Sequence, residues 1–184
     1  MAINPRATLM PPVDEHDHVQ GPADAPVTLV EYGDFECPYC AAAHLIVKKV
    51  QEAMADQLRF VFRHFPLTQI HAHAEGAAEA SEAAAAQGQF WEMHDVLYEN
   101  QQALDPLHLL GYAEEMGLDT QRFVRELEER VHQPRVRKDF MSGVRSGVNG
   151  TPAFFINGIR YDGSWELVPL LEALESAVLS EAAV

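Results

Sequence analysis

The stretch from Val27 to Cys40 constrains this chain most, because it joins a predicted strand, a cysteine pair and a predicted helix. It reads V-T-L-V-E-Y-G-D-F-E-C-P-Y-C, and its first half is rich in β-branched and aromatic residues, which predicts a buried strand. In residues 41–57, apolar side chains then recur at one-helix-face spacing: Ile46, Val47, Val50 and Met54. Cys37 and Cys40 are therefore expected where a strand turns into a helix.

This position has a chemical consequence for the two cysteines. The N–H groups and partial positive charge of a helix N-terminus stabilise a thiolate, and Pro38 suits the first helical turn. A thiolate attacks disulfides, and a second thiol one turn away resolves the mixed disulfide that forms. We therefore expect Cys37 to be the nucleophile and Cys40 the resolving thiol.

Two other interpretations of the cysteine pair remain open at this point. A structural zinc site usually needs two further Cys or His ligands, but the chain has only two cysteines. His44 follows Cys40 by four residues on the same helix face, so a Cys-Cys-His cluster is the nearest metal alternative. The second alternative is a cysteine pair with a purely structural role. Redox chemistry is favoured, and we expect no metal.

Composition and charge restrict the class of protein. With 184 residues, of which 47% are hydrophobic, the chain is expected to build one core in a single domain. The formal net charge of −15 disfavours binding to nucleic acid or anionic membranes, which both require a positive patch, and the sequence has no run of apolar residues long enough to span a bilayer. The acidic surface favours a monomer.

The first 20 residues predict an N-terminal arm ahead of a domain over residues 21–184. They contain three prolines and no apolar core of the kind that a signal peptide needs. This favours a cytoplasmic protein, or an extracytoplasmic one if the sequence has been trimmed. His16 and His18 offer metal ligands, but a solvated arm is the favoured interpretation.

The remaining pattern predicts an α/β fold. A second strand over Leu58–Phe65 completes a βαβ unit, and helical patterns fill residues 68–147, which we interpret as a helical insertion. Asn157-Gly158 lies between two short apolar runs and predicts a β-hairpin. A final helix is expected from Trp165 to about Ser180, capped by Ser164.

At this point the residues resemble a known family, the DsbA-like branch of the thioredoxin superfamily. The matching strings are Y-G-D-F-E-C-P-Y-C (32–40), R-H-F-P-L (63–67), F-W-E-M-H-D (90–95) and G-V-N-G-T-P-A-F-F-I-N-G (147–158). The resemblance covers roughly residues 18–180. It implies a thioredoxin-like fold made of a βαβ unit, a helical insertion, a β-hairpin and a C-terminal helix.

The resemblance also implies roles for further residues. Thr151-Pro152 matches the cis-proline loop that presents backbone groups to an extended substrate segment, and Pro38 and Tyr39 would contact substrate beside the cysteines. The alternative for Pro152 is an ordinary trans proline at an edge strand. Glu31 matches a buried acid beneath the cysteines, with a pKa raised by desolvation, that exchanges a proton with Cys40. The alternative for Glu31 is a solvent-facing residue.

Some residues depart from the family pattern. Tyr39 replaces the histidine found between the cysteines of the strongly oxidising members, and C-P-Y-C is also the glutaredoxin string. Asp34 and Glu36 place negative charge near Cys37, which is expected to raise the pKa of that thiol. Strong oxidising power therefore does not follow from the resemblance.

Histidines and aromatic residues of the predicted insertion offer further candidates. Hydrogen-bonded histidines are favoured over a metal or acid–base cluster at four positions, namely His64, His71, His73 and His94. Phe90 and Trp91 are interpreted as packing residues.

Together these features predict a thiol–disulfide oxidoreductase that acts on protein or peptide thiols and disulfides. Its redox group is the Cys37–Cys40 pair, so no separate cofactor is expected, and glutathione or a thioredoxin-type protein would be its redox partner. The alternatives are a glutathione-dependent transferase or isomerase on the same fold, and a peptide-binding, chaperone-like module. These residues do not define the direction of electron flow.

Overall fold

A computed structural model describes residues 7–181 of the chain. Within these residues the strands are β1 His18–Gln20, β2 Val27–Gly33, β3 Leu58–His64, β4 Ala153–Ile156 and β5 Ile159–Tyr161. The helices are α1 Pro38–Met54, α2 Ala74–Ala85, α3 Phe90–Glu99, α4 Pro106–Glu115, α5 Thr120–Glu128, α6 Gln133–Arg145 and α7 Leu167–Glu181. A 3-10 turn, Ala55–Gln57, follows α1.

The strands form one five-stranded sheet in the order β1-β3-β2-β4-β5. β2 is buried along its whole length and pairs antiparallel with β4, so that Val30 lies opposite Phe155. β4 and β5 form the predicted hairpin, in which Asn157 and Gly158 both have positive φ, as a tight two-residue turn requires. The order of strands and helices confirms the predicted α/β architecture.

The described chain divides into two compact units. The first comprises residues 1–32, 42–63 and 142–184, of which 7–32, 42–63 and 142–181 are described. Its core contains apolar side chains of the strands and of the long helices α1 and α7: Leu29, Val30, Val47, Val50, Val61, Phe62, Phe155, Leu170 and Leu174. Whether the chain is one domain with an insertion stays a prediction.

The N-terminal segment differs from the expected arm. Residues 18–20 form β1, which pairs antiparallel with β3, and Thr8 forms a β-bridge with Ile159. The Leu9 amide also donates to the Gly158 carbonyl at 2.8 Å. The segment is held by backbone pairing, which its composition does not reveal, because any residue with an N–H and a C=O can pair with an edge strand. Residues 1–6 of the predicted arm lie outside the described residues.

Arg63 fixes this segment from within the first unit. Its side chain is 3% exposed and forms two bonds to the Asp17 carboxylate, at 2.7 and 2.8 Å. The same guanidinium donates to the carbonyls of Pro11 and Pro12 and to the hydroxyl of Tyr32. A buried arginine therefore satisfies a carboxylate and two carbonyls of the N-terminal segment at once.

The second unit comprises residues 33–41 and 64–141 and contains α2–α5 with most of α6. α2 is rich in alanine and buried around most of its circumference, since small side chains let α3 and α5 pack closely against it. Asp105 and Asp119 cap α4 and α5 by accepting backbone N–H groups of the first turn, as acidic N-cap residues do. These caps explain where two of the helices begin.

The last helix begins later than predicted. α7 starts at Leu167, whereas the sequence predicts a start at Trp165 with Ser164 as the cap. The Ser164 hydroxyl instead accepts the Glu166 amide at 3.2 Å, so it closes a turn just ahead of the helix. Among the described residues, no helix combines the length and apolar character needed to cross a bilayer.

We predict that Arg63→Met destabilises the fold by about 3–5 kcal/mol, because it leaves the buried Asp17 carboxylate without its cation. Urea unfolding followed by circular dichroism measures this loss. Arg122→Met is the control, because Arg122 makes a half-exposed ion pair with Glu126 that is worth about 0–1 kcal/mol. Equal losses in the two variants would contradict the role of Arg63, and adding Asp17→Asn to Arg63→Met should recover part of the loss.

Candidate active site

The two cysteines lie at the start of α1, as predicted. The helix begins at Pro38, and the Cys37 carbonyl accepts the amides of Cys40 and Ala41 at 3.0 and 3.2 Å. Cys37 therefore occupies the position directly before the helix, where N–H groups and the helix dipole favour negative charge. Both cysteines are buried: Cys37 is 3% exposed and Cys40 is 0% exposed.

Pro38 and Tyr39 occupy the surface between these cysteines. Pro38 is the first residue of the helix, where its missing N–H costs no hydrogen bond. Tyr39 is 66% exposed. An exposed aromatic ring beside a cysteine can offer an apolar contact to another chain, and the substrate-contact role of Tyr39 stays a prediction.

Backbone hydrogen bonds shape the turn that precedes the helix. The Cys37 amide donates to the Asp34 carbonyl at 3.1 Å, which closes a four-residue turn from Asp34 to Cys37. The Asp34 amide in turn points at the Cys40 sulfur at 3.5 Å. A backbone N–H donor near this sulfur favours negative charge on it, so the turn is suited to thiol chemistry at both cysteines.

The Asp34 side chain ties this turn to the segment after β3. Its carboxylate is fully buried and accepts the amides of Glu36 and Leu67, each at 2.8 Å. It also accepts a hydrogen bond from Nδ1 of His71 at 2.8 Å. The carboxylate of Glu36 is bound as well, by the His73 amide at 2.6 Å. The negative charges expected to oppose a Cys37 thiolate are therefore both held by N–H donors.

His71 carries a shifted pKa as a result. Burial by itself lowers the pKa of His71, whereas the hydrogen bond to Asp34 raises it. The negative charges of Asp34, Cys37 and Glu36 act in the same direction as that hydrogen bond. On balance the pKa of His71 is raised above its ordinary value of 6.5. From the sequence, His71 is only one of four histidines expected to be hydrogen bonded.

Gln101 supports the other side of the turn, and no pattern in the sequence predicts this role. Its side-chain amide donates to the carbonyls of Phe35 and Cys37, at 2.8 Å each. Phe35 is buried against the rings of Tyr98, at 4.9 Å between centroids, and of His94, at 5.6 Å. Helix α3 and the residues after it thus fix the backbone beside Cys37.

Other histidines of this unit are bound to carboxylates through their ring nitrogens. Nε2 of His64 lies 2.9 Å from Glu82, and Nδ1 of His94 lies 3.0 Å from Asp95. His64 and His94 are therefore both hydrogen bonded in the structure. Phe90 is buried, and its ring packs edge-on against Trp91, which agrees with a packing role.

The other predicted site residues belong to the first unit. Glu31 lies in β2 opposite Phe154 and is 1% exposed, so it does not face solvent. Thr151 and Pro152 directly precede β4 and are half-buried, and the peptide bond between them is cis. Ala153, the next residue, pairs with Tyr32, the residue after Glu31. The structure thus brings Glu31 and the Thr151-Pro152 loop to neighbouring positions of two paired strands.

Comparisons with known proteins agree with this fold. The family model described as thioredoxin matches residues 13–176. A thioredoxin-like oxidoreductase from Silicibacter pomeroyi is 29% identical, with a TM-score of 0.79 over 89% of this chain and 93% of that one. BdbD from Bacillus subtilis superposes with a TM-score of 0.85 at 24% identity, over 96% of this chain and all of that one. Wolbachia pipientis α-DsbA1 superposes with a TM-score of 0.80 at 19% identity, over 95% of this chain and 96% of that one.

We predict that Gln101→Leu destabilises the protein by about 1–3 kcal/mol, because it removes the donor to two carbonyls of the cysteine turn. Gln102→Leu is the matched control, since this neighbouring glutamine is exposed and its replacement should stay within about 0.5 kcal/mol. Thermal and urea unfolding of both variants measure the difference. The role of Gln101 is wrong if both substitutions change stability equally.

Curated relatives carry a name from a different activity. The chain is 50% identical over 173 residues to a protein of Salinispora arenicola named Na(+)/H(+) antiporter NhaA 1, covering 94% of this chain and 26% of that protein. A Herminiimonas arsenicoxydans protein named Na(+)/H(+) antiporter NhaA is 46% identical over 92% of this chain and 27% of its own length. The chain thus spans about a quarter of the length of these relatives. On the match to residues 13–176 and on its structural neighbours, the chain belongs to the thioredoxin family and has the fold of its DsbA-type members.

Proposed function

We propose that the protein is a thiol–disulfide oxidoreductase that acts on protein or peptide substrates through Cys37 and Cys40. The observation that carries this proposal is the position of Cys37 directly before the first residue of α1, with Cys40 buried in the first turn. The helix N-terminus stabilises the thiolate that exchange requires, and the second cysteine is placed to resolve the intermediate.

The exchange reaction proceeds in two balanced steps. The Cys37 thiolate attacks one sulfur of a substrate disulfide, which forms a mixed disulfide and releases the other substrate sulfur as a thiolate. Cys40 then gives up its proton and attacks the Cys37 sulfur, which forms the Cys37–Cys40 disulfide and releases the second substrate thiol. Two electrons pass from the protein to the substrate, and the reverse sequence oxidises a substrate dithiol. The chemistry needs no additional cofactor.

The roles of three residues in the first unit are part of this proposal. Thr151 and Pro152 would present backbone groups to the substrate segment, and Glu31 would exchange a proton with Cys40 during the second step. The burial of Glu31 supports its role, because a carboxyl group shielded from water holds a proton at higher pH than an exposed one. Phe154, which lies opposite Glu31 in β4, follows Pro152 closely in the sequence.

The antiporter name of the curated relatives does not change the activity proposed for this chain. That name belongs to proteins of which this chain spans about a quarter, whereas the family model matched by residues 13–176 is thioredoxin. We therefore assign disulfide exchange to this chain, not ion transport. Glutathione or a thioredoxin-type protein is proposed as its redox partner. The cytoplasmic location and the monomeric state stay predictions.

We predict that Cys37→Ser reduces the rate of disulfide exchange to the uncatalysed background, because it removes the attacking thiolate. Cys40→Ser should instead accumulate a mixed disulfide, since its resolving thiol is missing. Incubation with glutathione disulfide, followed by intact-mass spectrometry, measures both effects, and Cys40→Ser should gain the mass of one glutathione. The double variant, with both cysteines replaced by serine, is the blank.

The outcomes of this experiment separate the alternatives. Exchange that persists in Cys37→Ser would overturn the proposal, and peptide binding without any exchange in the parent protein would favour the chaperone-like module. Conjugation of glutathione to electrophiles by Cys40→Ser would favour a transferase. The reduction potential of the Cys37–Cys40 pair in the unsubstituted protein then gives the direction of electron flow. A value of about −270 mV indicates a reductant, and one of about −120 mV indicates an oxidant.

A further inference from the structure

The buried carboxylate of Asp34 has one hydrogen-bond donor whose charge depends on pH. Two donors are the backbone amides of Glu36 and Leu67, which stay neutral at every physiological pH. The third donor is Nδ1 of His71, and an imidazole changes its charge near neutral pH. Since this nitrogen donates to a carboxylate, a neutral His71 carries its proton on Nδ1 and takes up the second proton on Nε2.

The turn connects this histidine to Cys37 through a short path. His71 binds the Asp34 side chain, and the Asp34 carbonyl accepts the Cys37 amide at 3.1 Å. The Asp34 amide lies 3.5 Å from the Cys40 sulfur. The same residue therefore contacts His71 with its side chain and both cysteines with its backbone. The His71 side chain is 15% exposed, so solvent reaches the ring to exchange protons.

The charges that act on His71 are those of the cysteine turn. Burial lowers the pKa of His71, but the hydrogen bond to Asp34 and the charges of the Asp34 and Glu36 carboxylates and the Cys37 thiolate together outweigh it. Electrostatic interaction is reciprocal, so a thiolate that favours the imidazolium is itself favoured by it. His71 thereby supplies positive charge on the side of the turn where Asp34 and Glu36 supply negative charge.

We propose that His71 is a positioning residue for the exchange reaction: held by Asp34, its imidazolium stabilises the Cys37 thiolate and couples the reactivity of that thiol to pH. This inference rests on the proposed function and deepens it. It differs from the role of a histidine between the two cysteines, because Tyr39 occupies that place here. His71 instead comes from the segment after β3.

The sign of the pH dependence follows from the direction of the His71 shift. The pKa is raised above 6.5, so the imidazolium is fully formed below that pH and is lost as pH rises through the raised value. The stabilisation of the thiolate by His71 is lost over the same range. In the disulfide form Cys37 carries no negative charge, so His71 binds its proton less tightly. Reduction therefore takes up two electrons, one proton at Cys40 and, in this range, part of another proton at His71.

Two substitutions separate the charge of His71 from its hydrogen bond. His71→Asn retains a side-chain N–H donor for Asp34 but is neutral, whereas His71→Ala removes both donor and charge. Each is made in the Cys40→Ser background, so that Cys37 is the single thiol. His108→Asn is the matched control, since His108 also pairs with an aspartate, Asp105, but is 55% exposed on α4.

We predict that His71→Asn lowers the rate of Cys37 alkylation by iodoacetamide at pH 6.5 by about tenfold, because the loss of a positive charge that acts on the thiolate raises the thiol pKa, by about one unit for a charge at this position. The pH at which the thiolate forms should move upward in His71→Asn and in His71→Ala, and should not move in His108→Asn. Unfolding midpoints show whether each variant is folded. The proposal is overturned if His71→Asn titrates as the parent does and only His71→Ala differs, which is the result for a purely structural residue.

A measurement on the unsubstituted protein tests the proposal without any variant. Nuclear magnetic resonance of the His71 ring protons should give a higher pKa in the reduced protein than in the disulfide form, and equal values would contradict the coupling. Alkylation and ring titration require no substrate. These two measurements can therefore contradict the role of His71 while disulfide exchange is intact. They also give the same result if the protein shows no disulfide exchange, so the two proposals are tested separately.

Discussion

The buried carboxylate of Asp34 is the interaction on which the active-site region depends. A charged group that is removed from water costs several kcal/mol unless it is hydrogen bonded, and Asp34 satisfies this requirement with donors from its own turn and from residues 67 and 71. The need to satisfy one charge therefore fixes the turn against the segment after β3. The backbone of the same residue directs hydrogen-bonding groups towards Cys37 and Cys40.

Local features of this structure are predictable because their causes lie within a few residues. The strand before the cysteines, the helix after them and the Asn157-Gly158 turn all follow from side-chain type and spacing. The same holds for Asp119, whose side chain caps α5 three residues along the chain. The fold class and the cysteine geometry were accessible from the sequence for this reason.

Features that join distant segments could not be predicted in the same way. Arg63 looks like an ordinary charged residue of a strand, yet it is buried with Asp17 and with carbonyls of the N-terminal segment. Gln101 reads as a loop residue and binds carbonyls beside Cys37. The sequence shows the negative charges of Asp34 and Glu36 near Cys37, but the donors that bind them, from residues 67, 71 and 73, are visible only in three dimensions.

The pairing of Thr8 with Ile159 has a consequence for how the protein is made. Contacts between residues far apart in sequence form slowly, because the entropy of closing the intervening loop is lost before the contact is gained. During synthesis, the segment around Thr8 leaves the ribosome long before its partner strand exists. Its backbone donors and acceptors cannot form these hydrogen bonds until the β4–β5 hairpin has formed. The edge of the sheet at β5 is therefore completed among the last events of folding.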